Sequence, residues 1–292
     1  MLCAGLVLVG FAAAGLLGAP GAGATPRSHR SGGPVDVLYA GSLVTQMEDA
    51  IGPAFDGATG YTFSGFAGGS DALASEIKGR TQLADVFISA SPGVNAELEG
   101  PKNGSWVSWF ARFGSSPLVI GYNPSSSFAS QLRSRPWYEV VSEPGFLLGR
   151  TDPAIDPKGK LTDEVLMQAA AAHNLPALAA IARSTTGVYP EEALVGRLQS
   201  GQLDAGFFYK TEAAAANIPT VSLAPLTLDA EYTVTVLNRA PHRQAALAFV
   251  KFLLGRQGRA ILERDGVSMA PRPVVSESVH VPVTLRAILH VG

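Results

Sequence analysis

The sequence is poor in cysteine and in charged side chains. Its 292 residues include one cysteine, Cys3, and 16% charged residues, with a formal net charge of −2 at pH 7. Because Cys3 lies in an apolar N-terminal segment, the rest of the chain offers no disulfide, no thiol nucleophile and no cysteine metal ligand. Without a basic excess or a clustered Lys/Arg run, nucleic acid and acidic membrane surfaces are not expected partners.

Familiar catalytic signatures are also missing. The sequence contains no GxxxxGK[ST], HExxH or GxSxG pattern, so it shows no phosphate-binding loop, zinc protease motif or nucleophile elbow. Four histidines show no metal-ligand spacing and are interpreted as surface or packing residues: His173, His242, His280 and His290. We therefore predict a protein that is not an enzyme and that carries no cofactor.

The N-terminal segment contains no charged side chain. Residues 1–24 are apolar and end in Ala22-Gly23-Ala24, which predicts a secretory signal peptide cleaved near Ala24. A positively charged start is lacking, so an uncleaved membrane anchor is the alternative, and the apolar run is long enough for one. Residues 25–34 are predicted to be a disordered linker. We expect export to the periplasm or to the exterior of the cell envelope.

Apolar runs alternate with helical periodicity along the rest of the chain. Strands are predicted at 35–39, 61–66, 84–90, 117–122, 145–149, 203–209 and 231–237. Strands separated by amphipathic helices are typical of mixed α/β sheets. A chain of this length can form two lobes, each with its own core.

Two serines occupy equivalent places after predicted strands. Residues 35–41 form an apolar strand that ends in Gly41, and Ser42 then begins a helical pattern; Ser70 repeats this arrangement after the second strand. We predict that Ser42 is a helix N-cap. The start of a helix presents free N–H groups and a positive dipole end, which suit an anion. The alternative is that both serines only cap their helices.

Three further sites in the second half of the chain carry polar groups at element ends. The loop 151–160 has two Asp-Pro steps, and its amides near Lys158 and Gly159 could face a cleft. Glu191 begins a helix, where a carboxylate can simply compensate the helix dipole. Tyr209 ends the strand at 203–209, where it is either a core aromatic residue or a ligand group.

Three segments carry a specific resemblance. LYAGSL, GGSDAL and ADVFISAS, at 38–43, 68–73 and 84–91, resemble the first lobe of the periplasmic proteins that deliver molybdate or tungstate to ABC importers, and the similarity extends over nearly all of the chain after the leader. It implies a type II periplasmic-binding-protein fold, α/β, with two mixed sheets, two interlobe crossovers and a ligand cleft. The predicted divisions are lobe 1 at 35–118 and 233–275, lobe 2 at 119–232, and a C-terminal extension at 276–292.

The resemblance also implies a set of ligand-binding residues. Ser42 and Ser70 would form the half of the site on the first lobe, and Tyr209 would contribute from the second. In the archaeal-type branch of the family an Asp and a Glu ligate the metal of the oxyanion directly, and the Asp of that branch's Asp-Pro-x-Gly loop matches Asp156 here. The Glu would be Glu191, with Glu192 as the alternative. The other branch binds its ligand in four-coordinate form without carboxylates.

The carboxylate pair has a physical rationale only as direct ligands. A carboxylate 4 Å from one charge of an anion is repelled by about 4 kcal/mol at an effective dielectric near 20. Molybdenum and tungsten can accept six oxygen ligands, whereas the sulfur of sulfate cannot, so Asp156 and Glu191 would also exclude sulfate.

We therefore predict the solute-binding subunit of an ABC importer, a monomer that binds molybdate or tungstate and docks on a membrane permease. One alternative is a protein of the same fold that binds a cation, a polyamine or a sulfate-like anion. Another is an enzyme in which Asp156 and Glu191 serve as an acid/base pair.

Overall fold

The computed structural model describes residues 32–82 and 84–292, so Cys3, the predicted signal peptide and most of the predicted linker lie outside the described residues. Strands β1–β10 are Pro34–Ala40, Thr62–Gly68, Val86–Ser89, Ala111–Tyr122, Leu148–Thr151, Val188–Tyr189, Ala205–Tyr209, Thr220–Ser222, Asp229–Val236 and Ser268–Val275. Helices α1–α13 are Val44–Gln46, Gly52–Thr59, Ser70–Gly79, Pro92–Ala96, Ala129–Ser134, Trp137–Val140, Pro157–His173, Pro176–Arg183, Glu191–Gln199, Lys210–Ala215, Arg243–Leu254, Arg256–Arg264 and Val283–Leu289. All seven predicted strands are present, with shifted ends.

The strands form mixed sheets. Their order is β2-β1-β3-β9-β4-β7-β5-β6, and β8 and β10 also pair with β4. β1 runs parallel to β2 and β3, and β5 runs parallel to β6 and β7, whereas β9 and β4 pair antiparallel to their neighbours. Parallel strands need crossover helices, which explains why helices cover these sheets.

Strand β4 joins the two halves of the structure. Its first part, Ala111–Pro117, pairs with β9 and β10, and its second part, Leu118–Tyr122, pairs with β7 and β8. The chain therefore enters the second half along β4 and returns between β8 and β9. This is the two-lobe α/β fold with two crossovers, and the predicted lobe divisions after residues 118 and 232 stay predictions.

The core follows from the apolar strands. Every residue of β3 and of β7 is buried, as expected for central strands covered on both faces. Helix α11 buries Ala246, Phe249, Val250 and Leu253, whose spacing of three and four residues places them on one face. Among the described residues, no helix combines the length and the apolar character needed to cross a membrane.

The C-terminal extension is part of this core. Within 276–292, helix α13 buries Leu285 and Leu289, and both side chains join the same apolar cluster as α11. The extension therefore closes one side of the first half of the structure.

Candidate functional site

A cleft opens where the end of β2 and the start of α3 face the loop before α7 and the start of α9. It encloses about 180 Å³, and its lining includes Gly69, Asp156 and Glu191. The two sides approach closely, since the amide of Ala72 donates to the carbonyl of Ile155 at 3.1 Å. A Cβ on Gly69 would lie 2.4 Å from the Ile155 carbonyl oxygen, so this approach requires glycine.

Ser42 lies beside this cleft but does not cap a helix. The cap position belongs to Ala40, and Gly41–Leu43 forms a 3₁₀ turn that leads into α1 and then into a π-helical turn at Met47–Ile51. The predicted N-cap role of Ser42 is therefore wrong. Its hydroxyl instead lies 3.1 Å from the hydroxyl of the buried Tyr232, because the tight turn directs the Ser42 side chain into the core.

Ser70 begins α3, as predicted for a residue at a helix start. Gly69 is the N-cap, and the Ser70 hydroxyl accepts a hydrogen bond from the amide of Ala90 at 3.1 Å. Ser70 is 1% exposed. This contact ties the start of α3 to the end of β3. Ser42 and Ser70 follow the carboxyl ends of the neighbouring parallel strands β1 and β2, respectively.

Asp156 is the N-cap of α7. Its Oδ1 accepts from the amide of Lys158 at 3.0 Å, so this amide is directed at Asp156, whereas the sequence had suggested that it faces the cleft. The other oxygen, Oδ2, is buried and has no hydrogen-bond partner among the described residues. Asp156 therefore holds one oxygen in place through the helix start and leaves the second available.

Glu191 spans the cleft from the start of α9. Its Oε2 accepts from the amide of Gly41 at 3.0 Å, which brings the two lobes into direct contact. Glu191 is 5% exposed, whereas its neighbour Glu192 is exposed. Of the two glutamates that the sequence left open, Glu191 is the one buried in the cleft.

Lys158 and Glu212 complete the cluster, and the role of neither side chain could be predicted from the sequence. The Lys158 ammonium lies 2.8 Å and 3.1 Å from the two carboxylate oxygens of Glu212. It also lies 3.3 Å from Glu191 Oε1, a charge contact without hydrogen-bond geometry. A Glu in the first turn of a helix is usually interpreted as a capping residue, so no local pattern distinguishes Glu212.

Tyr209 and Tyr232 are buried aromatic residues next to Lys158 and Ser42, and neither lines the cleft. Both rings are fully buried, with centroids 6.4 Å apart. The Tyr209 hydroxyl has no hydrogen-bond partner among the described residues, whereas the Tyr232 hydroxyl lies between Ser42 and Thr211. Tyr232 is in the middle of β9, where an aromatic residue is typical of a strand, so its hydroxyl could not be singled out from the sequence.

Burial dominates the protonation of this cluster. Burial, and then the charge of nearby Asp156, raises the pKa of Glu191 to about 8 although Lys158 opposes the shift. Burial likewise raises the pKa of Asp156 and of Glu212, and it raises the pKa of Tyr209 well above its usual value. Burial opposes the charge of Lys158, but the three carboxylates outweigh it and hold its pKa above the ordinary value.

A second polar cluster lies outside the cleft, at His242. The sequence showed no Asp near this residue, but ligand-type atoms of Asp36, Asp85 and His242 lie within 4.8 Å of one another. Asp85 Oδ1 accepts from the amide of His242, and Oδ2 accepts from the amide of Asp36. Through these bonds Asp85 connects the start of β3 to β1 and to the start of α11, which gives the cluster a structural explanation.

Comparisons with known proteins agree with this architecture. Residues 35–268 match the family of bacterial extracellular solute-binding proteins. The chain is 29% identical over 272 residues to an uncharacterized solute-binding protein of Petrotoga mobilis, covering 80% of this chain and 83% of that protein. It is 25% identical over 321 residues to the molybdate/tungstate-binding protein WtpA of Pyrococcus abyssi, covering 90% and 92%. The periplasmic molybdate-binding protein of Azotobacter vinelandii shares the fold, with a TM-score of 0.61 at 18% identity over 81% of this chain and 99% of that one.

Proposed function

Starting from the fact that this chain belongs to the family of bacterial extracellular solute-binding proteins, we propose that it captures molybdate or tungstate in the cleft between its lobes. It is exported, acts as a monomer and passes the ion to the membrane permease of an ABC importer without chemical change. The relatives named for molybdate and tungstate support this choice of ligand.

The observation that carries the proposal is a set of buried oxygens. Asp156 Oδ2, Glu191 Oε1 and the Tyr209 hydroxyl are buried without hydrogen-bond partners among the described residues, and of the three only Glu191 Oε1 has a charge partner, the Lys158 ammonium at 3.3 Å. A buried polar atom left unpaired costs about 1–3 kcal/mol, so such atoms need a partner. A ligand that supplies a metal centre to the carboxylates and an oxygen to the phenol meets all three needs.

The first lobe offers groups that suit the oxygens of the ligand. The Gly41 amide already donates to a carboxyl oxygen of Glu191, so the N–H of this turn is directed at an oxygen acceptor from the other lobe. Ser42 and Ser70 lie on the same side of the cleft as hydroxyl donors. We propose that the oxygens of the ligand bind the Gly41 amide and the Ser42 and Ser70 hydroxyls, while Asp156 and Glu191 bind its metal.

In their ionised form, repulsion from the anion favours Asp156 and Glu191 as direct metal ligands. Two carboxylates next to a dianion would each cost about 4 kcal/mol at 4 Å and an effective dielectric near 20. Direct bonds to molybdenum or tungsten replace this repulsion by attraction, and sulfate can form no such bonds. The site would therefore reject sulfate, which has the same charge and shape.

A cation or polyamine is the second candidate ligand. It is favoured by one observation: three buried carboxyl groups, those of Asp156, Glu191 and Glu212, outnumber the one buried ammonium of the cluster, that of Lys158. The unpaired Tyr209 hydroxyl and the amide of Gly41 instead favour an anion.

Isothermal titration calorimetry decides between these ligands. The exported form, from Thr25, is titrated with molybdate, tungstate, sulfate, phosphate and spermidine. We expect one site for molybdate or tungstate and no measurable heat from the other ligands at the same concentration. Equal binding of sulfate would exclude metal ligation, and binding of spermidine alone would establish the second candidate.

A further inference from the structure

Lys158 contacts both of the carboxylates that are proposed to ligate the metal. Its backbone amide donates to Asp156 Oδ1 at 3.0 Å, and its ammonium lies 3.3 Å from Glu191 Oε1. The residue is fully buried. One side chain and its own backbone therefore connect two carboxylates that are 35 positions apart in the sequence.

The ammonium is held from behind by Glu212. Both oxygens of this carboxylate contact Lys158 Nζ, at 2.8 Å and 3.1 Å, and Glu212 Oε2 also accepts from the amide of Tyr209 at 3.4 Å. The rings of Phe208 and Tyr209 lie 5.9 Å and 5.7 Å from the ammonium. The position of the charge is therefore fixed by a salt bridge and two aromatic rings.

Stability does not explain this pair. A buried ion pair loses its hydration, and apolar residues of the same size often stabilise a protein as well or better. An ammonium that simply attracted the ligand would direct its hydrogen bonds at the cleft, whereas the hydrogen bonds of Lys158 go to Glu212 and its charge lies beside Glu191. The geometry is that of a group that orients metal ligands through contacts behind them.

We propose that Lys158, anchored by Glu212, is a positioning residue whose side chain turns Glu191 towards the metal centre that Asp156 also faces. This inference rests on the proposed function. The amide of residue 158 holds Asp156 whatever the side chain is, so the side chain acts on Glu191.

The test is a pair of substitutions that keeps the charge of the site. The double variant Lys158→Met/Glu212→Gln removes one positive and one negative charge, so its formal charge equals that of the wild type and neither member of the Lys158–Glu212 salt bridge is left buried without the other. Lys210→Met is the matched control, because Lys210 is in the same helix as Glu212 and is exposed. Each exported protein is checked for a cooperative melting transition and then titrated with molybdate.

Loss of a group behind a metal ligand typically lowers affinity by about 10–100-fold, and we expect a loss of this size in the double variant and none in Lys210→Met. X-ray absorption at the molybdenum edge should count six oxygens in the wild type and five in the double variant, since Glu191 is no longer fixed. A merely structural pair would weaken binding without changing the oxygen count, and that result would overturn the inference.

Two other results are distinguishable. If the wild type binds molybdate and the affinity of the double variant is within about twofold of it, the positioning role is overturned and the proposed function stands. No molybdate binding by the wild type would overturn the proposed function and this inference with it.

Discussion

At the scale of the residue, the proposal depends most strongly on the two carboxylates of the cleft, Asp156 and Glu191. Replacing Asp156 by Asn or Glu191 by Gln keeps the shape but removes an anionic oxygen. If these groups bind the metal, molybdate affinity falls by at least tenfold, as calorimetry would measure. If they only lie near the anion, the same changes relieve repulsion, and affinity rises or sulfate begins to bind.

Glu192→Gln is the control for this pair of variants. Adjacent residues of a helix point about 100° apart, and Glu192 is exposed whereas Glu191 is buried. We expect molybdate affinity within about twofold of the wild type. If Glu192→Gln lowers molybdate affinity as much as Glu191→Gln does, the assignment of Glu191 as the metal ligand is contradicted.

The protonation of Glu191 makes the stability of the ligand-free protein depend on pH. Its ordinary pKa of 4.5 is raised to about 8 in the folded chain, so between these values the folded state binds more protons than the unfolded state. Stability is therefore greatest below pH 4.5 as far as this group is concerned, and it is lost as pH rises towards 8.

Urea unfolding of the ligand-free protein between pH 5 and 8 measures this effect. The free energy of unfolding should fall across the range in the wild type, and Glu191→Gln should fall less steeply. Glu192→Gln should follow the wild type, because its side chain is in water. If the free energy of unfolding changes with pH in the same way in Glu191→Gln and in the wild type, Glu191 is not the source of the pH dependence.

Ser42 and Ser70 could be placed near each other from the sequence alone, because each follows a strand and such positions meet at one sheet edge. The assignment of Asp156, Glu191 and Tyr209 to the site came from the family resemblance. Lys158 and Glu212 could not be found in either way, since their role depends on a contact between residues 54 positions apart. The N-cap role of Ser42 failed because the choice between capping and core contact depends on Tyr232.

At the scale of the element, the close approach of α3 to the loop before α7 depends on Gly69. A methyl group there would meet the carbonyl of Ile155, and overpacking of this kind costs about 1–3 kcal/mol. We therefore expect Gly69→Ala to weaken molybdate binding by this amount, measured by calorimetry. Gly57→Ala is the control, because nothing lies within 4 Å of the added atom; equal affinity of both variants with the wild type would show that closure does not use this contact.

Helix α13 gives the C-terminal extension a structural role that the sequence left open. Leu285 is fully buried, and Leu→Ala changes in a core cost about 2–5 kcal/mol. Urea unfolding of Leu285→Ala should show a loss of this size with molybdate affinity unchanged. Val283→Ala, at a position 80% exposed, should cost less than about 0.5 kcal/mol; if the two variants are equally stable, α13 does not support the core.

The strands were more predictable than the helix starts. Runs such as 84–90 and 203–209 are apolar enough to identify buried strands, whereas the division of residues 41–59 into 3₁₀, α and π segments depends on tertiary packing. The long β4 was predicted only in its second part, from residue 117, because Gly114, Ser115 and Ser116 interrupt the apolar pattern before it.

At the scale of the whole molecule, the resemblance found in the sequence is confirmed by the family match over residues 35–268. Strand β4 contributes to both halves of the structure, and Glu191 reaches from one half to the Gly41 amide of the other. A ligand bound between them would therefore contact both lobes at once, which couples its capture to closure of the cleft.

The most direct test of this account is the number of oxygens around the bound metal. X-ray absorption at the molybdenum edge, on the wild-type protein saturated with molybdate, counts them without mutation. Ligation by Asp156 and Glu191 predicts six oxygens, with two carboxylate oxygens farther from the metal than the four oxygens of the oxyanion. Four short, equivalent bonds would contradict carboxylate ligation, whatever the variants show.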